Sequence, residues 1–291
     1  TSAPVAKASI KTCLSKMSSS KKLLLSNKLQ LTGTVWLASD IHLGPDTPRT
    51  WAQFSAFLQR AGNEADALII GGDLFDAWVG DDVALKAPPE WLAQALAQLA
   101  DTGKRTQLYV ARGNRDFLIG EKLCHRIHAT LLPEPALIHT DYGAILFTHG
   151  DELCTDDRAY QRFRSIVRNP VVQKLFFSLG TDLRERIARM ARRRSMQANK
   201  TKRAEIMNVN AGAVKDMFMN YDIKTLVHGH THRPAIRVFD LGQSGVLRHV
   251  VLPDWDYDHS ESPRGGWLHI ATDTLRLVST TDHDFPIFER P

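Results

Sequence analysis

Cysteine is scarce in this chain, with Cys13, Cys124 and Cys154 the only three in 291 residues. An odd count without repeated spacing excludes a disulfide framework and predicts reduced thiols in a cytosolic protein. Long apolar runs are also missing. Nothing approaches the roughly 20 residues of a membrane-spanning helix. The run Leu23–Leu25 is too short for the core of a secretion signal, and no small-residue cleavage site follows it. No internal repeat is visible, which sets aside repeat architectures. Acids are absent from residues 1–30, which hold six lysines. A transit peptide would be acid-poor in this way but rich in arginine. The stretch therefore reads as a disordered basic tail, with Met17 an alternative start.

The rest is ordinary globular composition, 43% hydrophobic and 24% charged, enough for one large core or two modest ones. The charge is not evenly spread. Residues 158–203 carry fourteen Lys/Arg against Asp182 and Glu185, a local +12. With +6 in the tail and +5 overall, the remaining residues sum to −13. A basic segment on an acidic body predicts an anionic partner: phosphate, nucleic acid or a membrane surface.

Along the chain, "GTVWLASDIHLG" begins with the apolar run Val35–Ala38, and a helical pattern of Trp51, Phe54, Phe57 and Leu58 follows. "ALIIGGD" reads as a second strand and "TQLYVARGN" as a third. Between them, "EWLAQALAQLADTG" reads as a helix ending at Gly103. Strands alternating with helices predict a layered α/β fold. In "ALIHTDYGAILFTHGD" two apolar runs flank Asp141-Tyr142-Gly143, a hairpin signal. From Asp157 to about Asn220 the pattern is helical. Strands return at "TLVHGH", "AIRVFD", "LRHVVL" and "WLHIAT". A helical block, the one with most of the positive charge, thus interrupts an α/β chain. Phe163, Ile166, Val167, Val171, Leu175 and Phe176 recur in it at near-helical spacing among arginines, giving an amphipathic basic pair.

Open α/β sheets place their sites at the C-terminal ends of strands. The strand ends here read Asp40-Ile41-His42, Gly72-Asp73, Gly113-Asn114-Arg115-Asp116, His149-Gly150-Asp151 and Gly229-His230-Thr231-His232. Singly, each has an ordinary explanation: Asp73 as a helix cap, Asn114 in a turn, His149 in the core. As an ordered set they point to metal. Imidazole and carboxylate ligands without thiolates suit Mn, Fe or Zn rather than a structural zinc site. Asp40, His42, Asp73, Asn114, His149, His230 and His232 are too many for one ion and fit two sharing a bridging carboxylate. Two ions roughly 3.5–4 Å apart generate hydroxide and clamp an in-line phosphoryl displacement. His228 is left over and reads as buried and structural.

These motifs resemble the calcineurin-like metallophosphoesterases, whose pattern runs D-x-H, G-D, G-N-H-[DE], H and G-H-x-H. The resemblance implies a four-layer αββα sandwich. It implies one ion on Asp40, His42, Asp73 and His232 and another on Asp73, Asn114, His149 and His230, with Asp73 bridging. An irregular loop after His228 would let His230 and His232 reach different ions. The chain departs from the pattern at Arg115, where the family has histidine. An arginine cannot act as a general acid, but it grips phosphate bidentately. That suits a phosphomonoester expelled from a pyrophosphate, which needs little protonation.

"GDLFDAW", "GNRDFL", "HGDELCTDD", "ANKTK…IMNVN" and "HGHTHRP" are similar to one branch of that family, the lipid A pyrophosphatases that cleave UDP-2,3-diacylglucosamine. The likeness runs from about Thr34 to Leu277, with "DWDYDHSESPRGGW" matching loosely. It implies metal-hydroxide attack on the α-phosphorus, giving UMP and the acylated glucosamine 1-phosphate. Asp73, Asn114 and Arg115 would be catalytic. Asn114, Arg115, Asp157, Ser195, Asn199, Lys202 and His230 would contact substrate. Ser195, Asn199 and Lys202, spaced by four and three, fall on one helix face. Cys154 reads as a packed thiol. Two Mn²⁺ ions are the expected cofactors. The domain plan is tail 1–30, core 31–156 and 221–291, and a helical lid over 157–220. The partners are then the lipid nucleotide and the cytoplasmic face of the inner membrane, with no nucleic acid and no protein partner. Two rivals are a nuclease on the same fold, which would interleave aromatics for base stacking, and a non-catalytic scaffold, which would tolerate lost ligands. Here the ligand set is complete.

Overall fold

The computed structural model describes residues 29–201, 208–242, 245–281 and 284–290. Most of the predicted tail, and Lys202 with it, lies outside that range. The strands are β1 (Leu29–Gln30), β2 (Val35–Ala38), β3 (Ala67–Ile70), β4 (Gln107–Val110), β5 (Ala129–Leu131), β6 (Ala136–Thr140), β7 (Gly143–Phe147), β8 (Thr225–His228), β9 (Ala235–Asp240), β10 (Val246–Val251), β11 (Gly266–Ala271), β12 (Thr274–Ser279) and β13 (Ile287–Arg290). They form two sheets, ordered β1-β6-β7-β8-β10-β9-β13 and β12-β11-β2-β3-β4-β5.

In the second sheet β2, β3, β4 and β5 run parallel in register, Val35 against Ala67 and Ala67 against Gln107. In the first, β7, β8 and β10 are parallel, while β6 and β7 form the antiparallel hairpin with Thr140 opposite Gly143. Successive side chains point to opposite faces. Val35, Leu37, Ala67 and Ile69 therefore enter the core between the sheets, where Ile138, Ile145, Phe147, Val227 and Val250 meet them. Trp36, Ala38, Leu68 and Ile70 face the other way, onto helices. Both faces are buried, which is why these strands read as unbroken apolar runs.

The outer helical layer is α1 (Pro48–Glu64) and α3 (Glu90–Arg105); between them lies the short α2 (Asp81–Ala84). Pro48 opens α1 at a position whose N–H has no partner to lose. Phe54, Phe57, Leu58 and Ala61 give it one buried stripe, as Leu92, Ala95, Leu96 and Leu99 give α3. α3 runs two residues past Gly103, and Gly103 lies against the Ile127 carbonyl, where a Cβ would come within 2.3 Å. After α4 (Glu121–Arg126), a 3-10 turn at Asp151–Leu153 leads into α5 (Arg158–Val167), α6 (Pro170–Phe177), α7 (Thr181–Thr201) and α8 (Ala211–Tyr221).

α8 supplies the fourth layer. Its Val214 and Phe218 pack on Leu137, Leu146 and Leu226, the outer face of the first sheet. The sandwich thus takes the last of the helices that the sequence plan assigned to the lid, which leaves α5–α7 as the inserted block. β1 likewise moves out of the predicted tail, because Leu29 and Gln30 pair with β6.

The inserted block is capped and tethered through polar groups. Asp157 caps α5 by accepting from the Tyr160 N–H at 3.1 Å, and Asn169 caps α6 through the Val171 N–H at 2.8 Å. Arg184 of α7 forks onto Asp82 at 2.9 and 2.5 Å, and Arg192 reaches the Asp76 carbonyl at 2.8 Å and the Asp76 carboxylate. Phe163, Ile166, Val171 and Leu175 are exposed rather than packed, while Phe176 joins the core under the block.

Candidate metal centre

All seven predicted ligands converge where the C-terminal edges of the two sheets meet. Asp40 and His42 follow β2, Asp73 follows β3, Asn114 follows β4, His149 follows β7, and His230 and His232 follow β8. Five of them, Asp40, His42, Asp73, His230 and His232, hold left-handed backbone with φ between 51° and 66°. Such residues cost about 1–2 kcal/mol each relative to right-handed backbone. A cluster of them outside glycine marks a functional site. Their effect is to turn the chain off each strand axis without breaking the interstrand pairing. The His42 N–H still donates to the Asp73 carbonyl at 2.9 Å, and the Leu43 N–H to Leu74 at 2.9 Å.

The motif glycines make that turn possible. A Cβ on Gly113 would sit 2.0 Å from Asp73 Oδ1, and one on Gly229 2.2 Å from Asp40 Oδ2. Any other residue would push the carboxylates out of the site.

Two groups of donor atoms result. Asp40, His42 and His232 each offer a ligand atom within 4.8 Å of the others, as do Asp40, Asp73 and His149. The Nε2 atoms of His42 and His232 lie 3.4 Å apart, and His232 Nε2 is 3.4 Å from Asp40 Oδ1. On the other side, Asn114 Oδ1 stands 3.1 Å from His149 Nε2 and 2.8 Å from His230 Nδ1. Asp73 lies between, 3.7 Å from His42 through Oδ2 and 3.7 Å from His149 through Oδ1.

The donor set fits divalent cations. Asp40 Oδ1 and His42 Nδ1 are buried without a hydrogen-bond partner, an arrangement that is expensive unless something positive satisfies it. Burial pushes the Asp73 carboxyl up to about 7; His149 pulls it back, while the Asp116 and Asp40 carboxylates add to the rise. Crowded buried carboxylates of this kind are what a bound cation relieves. Burial, then charge on His149, pushes His230 down to about 3, so its imidazole stands neutral. Burial opposes charge on His149 and His232 too, but Asp73 and Asp40 raise the first to about 9. Asp254 and Asp40 raise the second to about 10, which puts positive charge in the place a cation would take.

Several supporting residues were not singled out in the sequence. Asp116 is fully buried, and its carboxylate accepts from the N–H groups of Gly113 (2.7 Å), Leu74 (2.8 Å), Asp73 (3.2 Å) and Phe75 (3.3 Å). It therefore locks the Asp73 loop to the Asn114 loop. Asp254, after β10, meets His232 Nδ1 at 3.1 Å and is itself held by Arg264 at 2.7–3.1 Å. A carboxylate behind a ligating histidine fixes which nitrogen faces the metal. Asp254 and Arg264 belong to the loosely matching stretch "DWDYDHSESPRGGW", and the only signal there was a run of acids preceding an arginine.

Arg115 lies at the mouth. Its N–H donates to Asp73 Oδ1 at 2.8 Å, its Nε is 3.6 Å from Asp73 Oδ2, and its Nη1 is 2.6 Å from Asp76. A cleft of about 200 Å³ opens beside it, lined by His42, Asp76, Arg192, His232 and Asp254 among others. A larger hollow of about 570 Å³ lies far from these groups, where β3 and β4 begin, lined by Asn63, Asp66 and Arg105. Its wall holds none of the predicted ligands, so it has no part in this site.

The remaining predicted residues are placed as follows. Asp157 is buried as the cap of α5. Ser195 and Asn199 are on α7, but their side chains, like the whole of Lys202, lie outside the described residues. His228 is buried, as expected. Its Nδ1 donates to the Gly229 carbonyl at 2.8 Å, which leaves Nε2 to accept from His249 Nε2 at 2.7 Å. Cys154 is buried, and burial pushes its thiol up to about 12.

Buried carboxylates at the ends of parallel strands, with imidazole and amide donors grouped around them, fit the metal site of a phosphoesterase. The sequence matches the calcineurin-like phosphoesterase family over residues 33–234, and the chain belongs to that family. Within it, the chain is 53% identical over 258 residues to the UDP-2,3-diacylglucosamine hydrolase of Bordetella pertussis, covering 89% of this chain and 99% of that protein. It is 42% identical over 247 residues to the enzyme of the same name from Pectobacterium carotovorum, covering 84% and 98%. A solved structure of a predicted phosphoesterase from Streptococcus pneumoniae covers 87% of this chain and 92% of its own, at TM-score 0.40 and 13% identity.

Proposed function

We propose that the chain hydrolyses the pyrophosphate bond of UDP-2,3-diacylglucosamine to UMP and 2,3-diacylglucosamine 1-phosphate, a step of lipid A biosynthesis. What supports this reading is the convergence of seven side chains predicted as metal ligands, with Arg115 at their mouth. It occurs in a chain similar over 89% of its length to hydrolases named for that substrate.

Asp40, His42, Asp73 and His232 would hold one cation, and Asp73, Asn114, His149 and His230 the other, Mn²⁺ being our choice for both. Two bound cations would supply an activated water and neutralise charge on the phosphoryl oxygens. The chain's own groups do the positioning. Arg115, about one-third exposed and already steered by Asp73 and Asp76, grips the diphosphate bidentately. Having no proton to spare, it requires a leaving group stable as an anion, and a sugar 1-phosphate meets that condition. The water oxygen bonds to the α-phosphorus, and the bridging oxygen departs with the sugar phosphate. Asp157, Ser195, Asn199 and Lys202 would contact the substrate from the inserted helices.

The same helices bring the acyl chains to the site. Among the described residues no helix is long and apolar enough to cross a membrane. Phe163, Ile166, Val171 and Leu175 are nevertheless exposed among arginines. That pattern supports attachment at an anionic membrane surface.

The experiment is hydrolysis of the lipid nucleotide in ¹⁸O-water by the Mn²⁺-loaded protein. UMP carrying the label is expected. No UMP from fully loaded protein would overturn the reading, and label in the sugar phosphate would reverse the direction of attack.

A further inference from the structure

The inserted helices and the metal ligands share a buried ionic cluster that the proposed chemistry does not use. α5 turns Tyr160 and Arg164, with Arg168 at its C-cap, toward the loop after His149; intervals of four place all three on one helix face. Tyr160 and Arg164 end on Asp151, at 2.6 and 2.8 Å, and Arg164 also reaches Glu152 at 3.3 Å. Asp151 is fully buried. Burial opposes its charge, but Arg168, His149 and Arg164 more than offset this and hold its carboxyl well below the usual range.

Arg168 differs from the other two in where its contacts lead. Nη1 donates to Glu134 Oε2 at 2.7 Å, and Nη2 to the Gly113 carbonyl at 3.0 Å and to Asp151 at 3.4 Å. Gly113 is the residue before Asn114. The other oxygen of Glu134 accepts the backbone N–H of His149 at 2.9 Å. One guanidinium therefore braces the backbone of two ligands assigned to the same ion. Among the described residues α5 makes no hydrogen bond to Asp40, His42 or His232; Asp254 and Arg264 back that side instead.

Glu134, Asp151 and Glu152 come close enough together to suggest a third cation site. Arg164 and Arg168 already occupy it with positive charge, so the cluster is an ion-pair joint.

We propose that Arg168 is a positioning residue for the Asn114–His149 half of the metal centre, so that the seating of α5 sets the affinity of that ion alone. The inference rests on the two-ion reading above. A planar guanidinium reaches three acceptors at fixed angles, which a lysine ammonium does not reproduce. Arg168→Lys thus keeps the charge and loses the brace. Glu134→Gln cuts the same connection from its other end.

The test is calorimetric titration of the metal-stripped protein with Mn²⁺. Wild type should bind two equivalents, and His149→Ala identifies which belongs to the Asn114–His149 half. Arg168→Lys and Glu134→Gln should each weaken that equivalent roughly ten- to a hundredfold, as supporting groups behind metal ligands do, and leave the other unchanged. The double variant should be no weaker than either single one. Both equivalents unchanged, or both weakened alike, would overturn the proposal. Wild type binding one equivalent would overturn the two-ion reading itself, and the proposal with it. If Arg168→Lys fails to fold, Glu134→Gln carries the same expectation and the same contradictions.

Discussion

The two halves of the candidate metal centre are built from similar donor groups but anchored to different parts of the molecule. Asp40, His42 and His232 belong to the sandwich: they sit in strand-end loops, and Asp254, clamped by Arg264, backs His232 from the loop after β10. Asn114 and His149 are also at strand ends, but their backbone is braced by Arg168, at the C-cap of an inserted helix. Asp73 stands between, its loop fixed by the buried Asp116. Among the described residues, one half is held by the core alone. The other half is tied to the inserted helices through Arg168 and Glu134, and on the proposal above its metal affinity follows how those helices are seated.

The two halves meet at Asp73, and the largest effect is expected there. Asp73→Ala should lose both Mn²⁺ equivalents and lower turnover by roughly a thousandfold or more, because the cations supply several kcal/mol of transition-state stabilisation. Metal analysis of the purified variant checks it; two retained equivalents would remove Asp73 from the bridging position. Arg115→Lys should separate metal from chemistry. Both equivalents stay, and kcat/KM falls roughly a hundredfold because the two-pronged phosphate contact is gone. Near-normal turnover would take Arg115 out of the mechanism.

Asp254→Asn is the mirror of the Arg168 experiment. It should weaken only the His42–His232 equivalent, by roughly ten- to a hundredfold in Mn²⁺ titration. Loss from the other half instead would mean that the two halves are not separately anchored. The smallest effect belongs to the inserted helices. Asn199→Ala or Lys202→Ala should cost about tenfold in kcat/KM on the lipid nucleotide, in the range of one charge-assisted hydrogen bond. Small phosphodiesters that never reach those helices should be cleaved as before. Equal losses on both substrates would point to a damaged fold rather than a lost contact.

The candidate ligands could be placed at one edge from the sequence because each lies in a short motif directly after an apolar run, at the C-terminal end of a strand where open sheets place their sites. Their division between two ions came from the family resemblance. What supports them could not be placed in this way. His232 and Asp254 are joined by a fold-dependent contact, as are Arg168 and Gly113, and Arg184 and Asp82. No spacing rule flags a carboxylate that acts only through a neighbour brought to it by the sheets. The same limit explains α8. Val214 and Phe218 give it an apolar face, but a face does not say whether it covers the first sheet or the substrate. β1 and β13 are short edge strands, too brief for alternation to show. His228 and His232 lie in one seven-residue motif, yet the first pairs with His249 in the core and the second faces Asp40. Only the left-handed turns after β8 separate their roles.

A two-cation centre that cleaves a lipid nucleotide must lose activity with its metal and regain it with the second equivalent. Its most direct test is to strip the metal and follow UMP release from UDP-2,3-diacylglucosamine as Mn²⁺ is returned in measured equivalents. No release is expected without metal, full activity only once the second equivalent is bound, and UMP and the acylated sugar 1-phosphate in equal amounts. Full activity at one equivalent, or UMP released by the metal-free protein, would contradict it.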